Sequence, residues 1–110
     1  MTGFELCEAH VRAFNEGVRT GDWEPMLSRF SDDATVSFEN APVGRIDGID
    51  AIRTAYRDSP PDDEIRLLGV QDDPERGIVT AAFVWTRGGT GRMVLESARG
   101  QIRALTVIFD

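Results

Sequence analysis

Residues 14–36 read FNEGVRTGDWEPMLSRFSDDATV, and this segment holds the end of one helix, a short second helix and the start of a sheet. Thr20-Gly21 is a stop signal for the first helix. Asp22 can accept a bond from the free N–H groups of the second helix, and Pro25 falls in its first turn, where a missing donor costs little. Ser31 to Asp33 reads as a turn, and Ala34 to Phe38 reads as a short strand.

Upstream and downstream of this segment, apolar residues recur at helical spacing. Before it, the steps of three and four that mark an amphipathic helix are made by Phe4, Cys7, Val11, Phe14 and Val18. After it, residues 39–47 contain Pro42 and Gly44 and are predicted to form a loop. A third helix is predicted over residues 48–57, with its apolar face made by Ile49, Ile52 and Tyr56. Ser59-Pro60-Pro61 ends it, because the residue before a proline avoids helical angles.

Beyond residue 64 the apolar period changes from 3.6 to 2, which indicates strands. Four are predicted, separated by turns rich in glycine, aspartate and proline: 65–71, 79–86, 92–96 and 102–109. The last strands are apolar on both faces. A sheet covered on both sides fits this pattern, with helices and a cavity on one face and a partner subunit on the other. The sequence thus predicts a single α+β domain over residues 1–110, with antiparallel strands curled into a half-open cone.

Composition excludes several classes of function. The net charge is −7, from 12 basic and 19 acidic residues, and the arginines are interleaved with acids, so nucleic acid is not an expected partner. No window reaches the roughly 18 apolar residues of a membrane span, and the acidic N-terminus does not resemble a signal peptide. Cys7 has no disulfide partner, so we predict a cytoplasmic location, and with a single histidine no metal site is expected. The exclusive use of arginine, with abundant Gly, Asp and Ala, suggests a bacterial genome rich in GC.

Several of these motifs resemble the nuclear transport factor 2-like superfamily, whose small bacterial members include SnoaL-like polyketide cyclases and ketosteroid isomerases. The resemblance is carried by residues 14–17, 21–23, 26–27 and 30–36, and by residues 48–53 and Tyr56 in the third helix. It implies a cystatin-like curved antiparallel sheet wrapped round a long N-terminal helix, in the order α-α-β-α-β-β-β-β. It also implies a pocket between helices and sheet, no cofactor, and a homodimer through the outer face of the sheet.

The resemblance points to two catalytic candidates. His10 lies five residues before Asn15, the spacing at which the isomerases hold a tyrosine that donates a hydrogen bond to the developing enolate oxygen. An imidazole N–H is able to do similar work, or to act as acid or base. Tyr56 matches a tyrosine that supports this donor. For each residue a structural interpretation stays open: His10 as a boundary residue bonded to a carbonyl or water, and Tyr56 as part of the Ile49/Ile52 core face.

The third catalytic candidate is Glu39, which is considered because this chain lacks an aspartate at the position of the isomerases' base. Their aspartate base stands at the end of the first strand, where this chain has Phe38, or Ala41 if the count runs back from Pro42-Val43-Gly44. Glu39 lies between these anchors. Strand alternation directs it away from the side of Val36, so it reaches the pocket only if the chain bulges there. On the sheet, an Arg103–Glu96 pair across the last hairpin is expected.

Two functions remain open on this evidence. The first is a pocket protein for a hydrophobic small molecule, acting as a cofactor-free isomerase, cyclase or hydratase. The second is a non-catalytic binding or dimerisation module of the same fold. The apolar residues predicted to line the ligand pocket are Phe14, Trp23, Phe30, Phe38, Trp85 and Met93.

Overall fold

A computed structural model describes residues 1–110 as three helices and six strands. The helices and strands are, in chain order, α1 (Gly3–Thr20), α2 (Glu24–Leu27), β1 (Phe30–Glu39), β2 (Ile46–Asp47), α3 (Ile49–Asp58), β3 (Ile65–Asp73), β4 (Ile78–Trp85), β5 (Thr90–Ala98) and β6 (Gln101–Phe109). No helix combines the length and the apolar character needed to cross a bilayer.

The six strands form one curved sheet in the order β2-β1-β6-β5-β4-β3. Strands β3 to β6 form the predicted antiparallel run, each pairing with the next along the chain. The predicted α+β class with an N-terminal helix against a curved sheet is therefore confirmed. Two features were not predicted: β1 pairs with β6 in parallel, and the short strand β2 adds an edge within the expected loop.

Helix α1 begins and ends on local signals. Thr2 and Glu5 form a capping box, in which the Thr2 hydroxyl accepts from the Glu5 N–H and the Glu5 carboxylate accepts from the Thr2 N–H. At the other end Gly21 has a φ of 80° and donates its N–H to the carbonyl of Gly17. This left-handed cap favours glycine, which explains the predicted stop.

Close packing between α1 and α2 depends on Gly17. The Trp23 ring lies so near to this glycine that any side-chain carbon added there would clash with it. Trp23 is 6% exposed as a result. Asp22 accepts a bond from the Glu24 N–H at 3.1 Å, so it satisfies one free donor of α2 as the sequence suggests.

Strand β1 is longer than the sequence indicates. Residues 31–33, expected as a turn, lie within the strand, and the register of β1 on β6 shifts between Phe30 and Thr35. This irregularity accommodates the polar Ser-Asp-Asp segment while both flanks remain paired with β6. Pairing in the tertiary structure thus overrides a local turn preference.

A second irregularity explains why the expected Arg103–Glu96 pair does not form. The register of β5 on β6 shifts between Glu96 and Ser97, just before the turn at Arg99-Gly100. Because a bulge changes which face each following residue takes, Arg103 is exposed while Ile102 and Leu105 are buried. The prediction of the ion pair was wrong because it assumed uninterrupted alternation.

Candidate functional site

An apolar cavity of about 380 Å³ opens between α1, α3 and the concave face of the sheet. This volume lies within the range of small-molecule sites, roughly 300–1,000 Å³. Ten of the fifteen lining residues are hydrophobic. The cone therefore retains an open end, and its core side chains do not fill it.

The sheet register places the wall residues in two adjacent rows. In the first, Phe38 of β1 pairs with Val107 of β6, which pairs with Met93 of β5. In the second, Phe109 pairs with Gly91, and Gly91 pairs with Phe83. A side-chain carbon at Gly91 would lie 2.6 Å from the Phe83 ring, so only glycine lets that ring lie across the sheet.

Three aromatic rings form a stacked row at the open end of the cavity. The rings of Trp85 and Phe109 lie 5.9 Å apart with an angle of 6° between them, and those of Phe38 and Phe109 lie 6.4 Å apart at 26°. Phe14 of α1 faces this row, with its ring 6.5 Å from that of Trp85. Flat, polarisable surfaces of this kind favour a ligand that contains a ring.

His10 is the polar group placed most deeply in the cavity wall. It is 2% exposed, its ring packs edge-on against Phe30 at 5.7 Å, and its Nδ1 atom has no hydrogen-bond partner. Burial, together with the positive charge of Arg29, lowers the pKa of His10 to about 4. The imidazole is therefore neutral at pH 7, with one nitrogen able to donate and the other able to accept.

Tyr56 is the second polar group of the inner wall. It is 6% exposed, lies on the buried face of α3 beside Ile52, and packs its ring edge-on against Trp23 at 5.1 Å. Burial raises the pKa of the Tyr56 hydroxyl to about 12. This group is a neutral donor at any physiological pH.

The charged residues of the cavity lie at its mouth. Asp63 accepts bonds from the Thr86 hydroxyl and the Arg87 N–H, and these two contacts, in that order, hold the pKa of its carboxyl below its ordinary value. Arg87 also donates to the carbonyl of Asp62 at 2.7 Å and pairs with its carboxylate at 3.3 Å. These contacts fix the segment before β3 against the β4–β5 turn, at the edge of the opening.

Asn15, which lies in a motif that carries the family resemblance, binds the backbone at the start of β3, directly after this segment. Its side chain donates to the carbonyl of Ile65 at 2.8 Å and accepts from the Ile65 N–H at 2.9 Å. The amide thus acts as a short additional strand partner for the first residue of β3. One helical turn and a half separate it from His10, so α1 positions both the wall and the mouth of the cavity.

The structure does not bring Glu39 into this site. Glu39 is exposed at the end of β1 and does not line the cavity. The pairs Phe38–Val107 and Glu39–Ile108 follow each other without a bulge, so alternation directs Phe38 inward and Glu39 outward. The bulge that would have turned Glu39 inward occurs at the start of β1 instead.

Of the six predicted ligand contacts, four line the cavity: Phe14, Phe38, Trp85 and Met93. The other two lie behind the wall. Trp23 packs against Gly17, and its ring contacts those of Phe14 and Tyr56. The Phe30 ring packs against His10. Trp23 and Phe30 thus contact the wall residues and not the cavity, a distinction that periodicity alone does not reveal.

Several wall residues were not predicted from the sequence. Leu105, Val107 and Phe109 share one side of β6 and line the cavity. Their alternation was visible, but the sequence does not say which face of the strand is concave. Asp63 and Arg87 were missed for another reason: acidic and glycine-flanked turns occur in most proteins, so nothing local marks these two as the cavity mouth.

The curved sheet, the helix that it encloses and the apolar cavity at its open end define a cystatin-like, NTF2-like fold. A model of the SnoaL-like domain matches residues 11–108. The chain therefore belongs to the SnoaL-like family of the NTF2-like superfamily, and the predicted resemblance is confirmed. No protein of curated function matches the sequence.

Solved structures share the fold at low sequence identity. A provisionally assigned isomerase from Bacillus subtilis superposes with a TM-score of 0.79 at 21% identity, covering 100% of this chain and 90% of that one. A provisionally assigned polyketide cyclase from Xanthomonas campestris gives 0.75 at 20% identity, covering 98% and 90%. An NTF2-like protein of unknown function from Cytophaga hutchinsonii gives 0.78 at 15%, covering 100% and 91%. At these identities the likeness shows the fold and leaves the activity open.

Proposed function

We propose that this protein binds an uncharged, ring-containing hydrophobic small molecule in the cavity, with His10 and Tyr56 as its polar contacts. The observation that carries the proposal is the unpartnered Nδ1 of a buried histidine in the wall of an apolar cavity of about 380 Å³. Leaving a buried polar atom unpaired costs about 1–3 kcal/mol. Nδ1 has almost no exposed surface, so the ring would turn toward the cavity for a ligand group to bond to it and recover this cost.

The class of ligand follows from the lining. Both inner polar groups are neutral at pH 7, and the only charged lining residues, Asp62, Asp63 and Arg87, stand at the mouth. A carboxylate or ammonium group placed beside His10 would lose its hydration without gaining an opposite charge. A carbonyl or hydroxyl group would lose less and would gain a hydrogen bond.

Fluorescence titration of Trp85, which lies in the aromatic row, tests this binding function. Carvone, acetophenone and androstenedione offer three sizes of uncharged ketone as probes. We expect saturable quenching by at least one of them in the wild-type protein and none in Val107→Phe, which fills the cavity. Val84→Phe, on the outward side of β4, is the matched control and should bind as the wild type does. Quenching that is equal in all three proteins would contradict the proposal.

Catalysis is the second candidate, and the unpaired imidazole is the observation that favours it. Tyr56 would donate a hydrogen bond to a ligand carbonyl, while His10 would remove or return a proton on the carbon beside it. No carboxylate stands inside the cavity for this purpose, and Glu39, directed outward, has no part in this proposal. The reaction would be a cofactor-free isomerisation or cyclisation of a ketone.

Hydrogen–deuterium exchange separates catalysis from binding. A ketone that binds is incubated in D₂O, and loss of its α-proton signal is followed by NMR. A catalyst would exchange the α-protons at least about tenfold faster than buffer, since general acid–base groups contribute roughly 10²–10⁴-fold. His10→Leu should abolish the excess. Saturable binding with exchange at the buffer rate would identify a binding module.

We further propose a homodimer formed through the outer face of the sheet. Val94 pairs with Thr106 and Arg92 with Ile108 on this face, and Val94, Thr106 and Ile108 are only partly covered within one chain. An antiparallel sheet that exposes β-branched apolar residues in adjacent rows gains stability when a second sheet covers them.

A further inference from the structure

We propose that the ligand site extends beyond the cavity into an apolar groove between α3 and residues 40–46, so that the ligand carries an apolar chain or second ring outside the enclosed cavity. The groove has a volume of about 230 Å³. This inference rests on the proposed binding function and specifies the shape of the ligand.

The groove and the cavity share part of their walls. Phe38, Tyr56, Pro61 and Phe109 line both spaces. Phe38, Pro61 and Phe109 are partly exposed while Tyr56 is buried, and the side chains of these four residues separate a molecule bound against the aromatic row from the groove. The occupant of the groove is therefore the part of a cavity ligand that extends past these side chains.

The rest of the groove is suited to hydrocarbon. Apart from the shared residues it is lined by Ala41, Val43, Ile46, Ala55 and Ser59, none of which is charged. Charged residues make up 28% of the chain, so a surface formed by nine uncharged residues is unusual here. Val43 is 48% exposed and is one of only four large hydrophobic side chains left so open to solvent. Exposed apolar surface beside a binding cavity is typical of a continuing ligand site.

The groove is formed before any ligand arrives, because both ends of residues 40–46 are fixed. Asn40, with a φ of 63°, donates its side-chain amide to the carbonyl of Phe109 at 2.8 Å. Ile46 pairs with Val36 in the sheet. Held in this way, the segment presents Val43 to the ligand without a folding cost on binding.

Alkyl phenyl ketones of increasing chain length test this inference. Acetophenone, hexanophenone and octanophenone share a ring and a carbonyl and differ only in the chain. Their dissociation constants would be measured by isothermal titration calorimetry. Since each buried methylene strengthens binding by roughly fourfold, we expect octanophenone to bind the wild type at least about tenfold more tightly than hexanophenone.

Two variants probe the groove and one serves as a control. Val43→Asp adds a charge and Ala55→Leu fills space, and each should reduce the octanophenone advantage to less than about threefold while leaving acetophenone within about twofold of the wild type. Phe4→Asp alters a side chain of similar exposure, 45%, on α1. It should bind the whole series as the wild type does.

Three results would overturn the inference, and they are distinguishable. An undiminished chain-length gain in Val43→Asp would exclude the groove and leave the cavity as the site. Absence of binding by every ketone in the wild type would contradict the proposed function and the groove with it. A change from dimer to monomer in Val43→Asp, measured by light scattering, would mean that a second copy of the chain covers the groove.

Discussion

His10 combines two properties that rarely occur together in a residue kept only for packing. It is almost completely buried, and one of its ring nitrogens has no partner. Buried polar groups are nearly always hydrogen-bonded, so an unpaired one calls for an explanation. We propose that a ligand group in the adjoining cavity completes the hydrogen bonding.

The same burial makes the stability of the fold depend on pH. The folded-state pKa of His10, about 4, is below its unfolded value of 6.5, so the unfolded chain binds the proton more readily between these values. The contribution of neutral His10 to the free energy of unfolding is fully present above pH 6.5 and is lost as the pH falls toward 4. The shift corresponds to roughly 3 kcal/mol of unfolding free energy.

Urea unfolding of the wild type and of His10→Leu at pH 7 and pH 4.5 measures this effect. The two proteins carry the same carboxylates, so the difference between their losses isolates the histidine. We expect the wild type to lose about 2–3 kcal/mol more than the variant over this interval. Parallel losses in the two proteins would show that His10 is solvated or paired in solution.

Among the secondary-structure elements, α1 and β3 are joined by two contacts of different strength. The Asn15 amide makes two bonds to the Ile65 backbone in a partly buried setting. A few residues away, the Arg19–Glu64 ion pair closes at 2.6 Å, but its side chains are 55% and 32% exposed. Exposed pairs contribute little because water screens them.

Asn15→Ala should therefore destabilise the fold far more than Arg19→Ala. Loss of two hydrogen bonds, with both backbone groups of Ile65 left unpaired, is expected to lower the unfolding free energy by about 2–3 kcal/mol. Removal of the ion pair should cost less than about 1 kcal/mol. Chemical denaturation of both variants checks the ranking, and a reversed order would mean that the anchoring of β3 is electrostatic.

The elements also show where local sequence is a good guide. The glycine stop of α1 and the Ser-Pro-Pro end of α3 act within a few residues, and these two boundaries were predicted to within about two positions. The bulges in β1 and at the β5–β6 turn depend on a partner strand distant in sequence. The second of them turns Arg103 outward against simple alternation, while Glu39 follows alternation because the bulge in β1 lies at the other end of that strand.

At the scale of the whole molecule, the outer face of the sheet carries apolar residues that are only partly covered in the single chain. If it forms a homodimer, light scattering should give about twice the chain mass of 12.2 kDa. Ile108→Arg, near the end of β6 on that face, should shift the protein toward monomer by adding a charge to the interface beside Arg92.

Phe4→Arg is the control for this experiment, since Phe4 is an exposed apolar residue on α1 and does not belong to the outer face of the sheet. Its mass should equal that of the wild type. A wild-type protein that is monomeric at all concentrations would contradict the dimer. Neither the cavity nor the groove depends on that result, because every lining residue described above belongs to one chain.

The sequence by itself determined the order of the three helices and of five of the six strands, the α+β class, the family and four of the six predicted cavity contacts, since periodicity, caps and turn residues act over short distances. Only the tertiary structure decided that β1 pairs in parallel with β6, that the concave face carries Val107 and Phe109, and that His10 lacks a partner. These properties depend on which distant residues meet, and curvature with strand register sets those meetings. A short segment of chain contains no information about either.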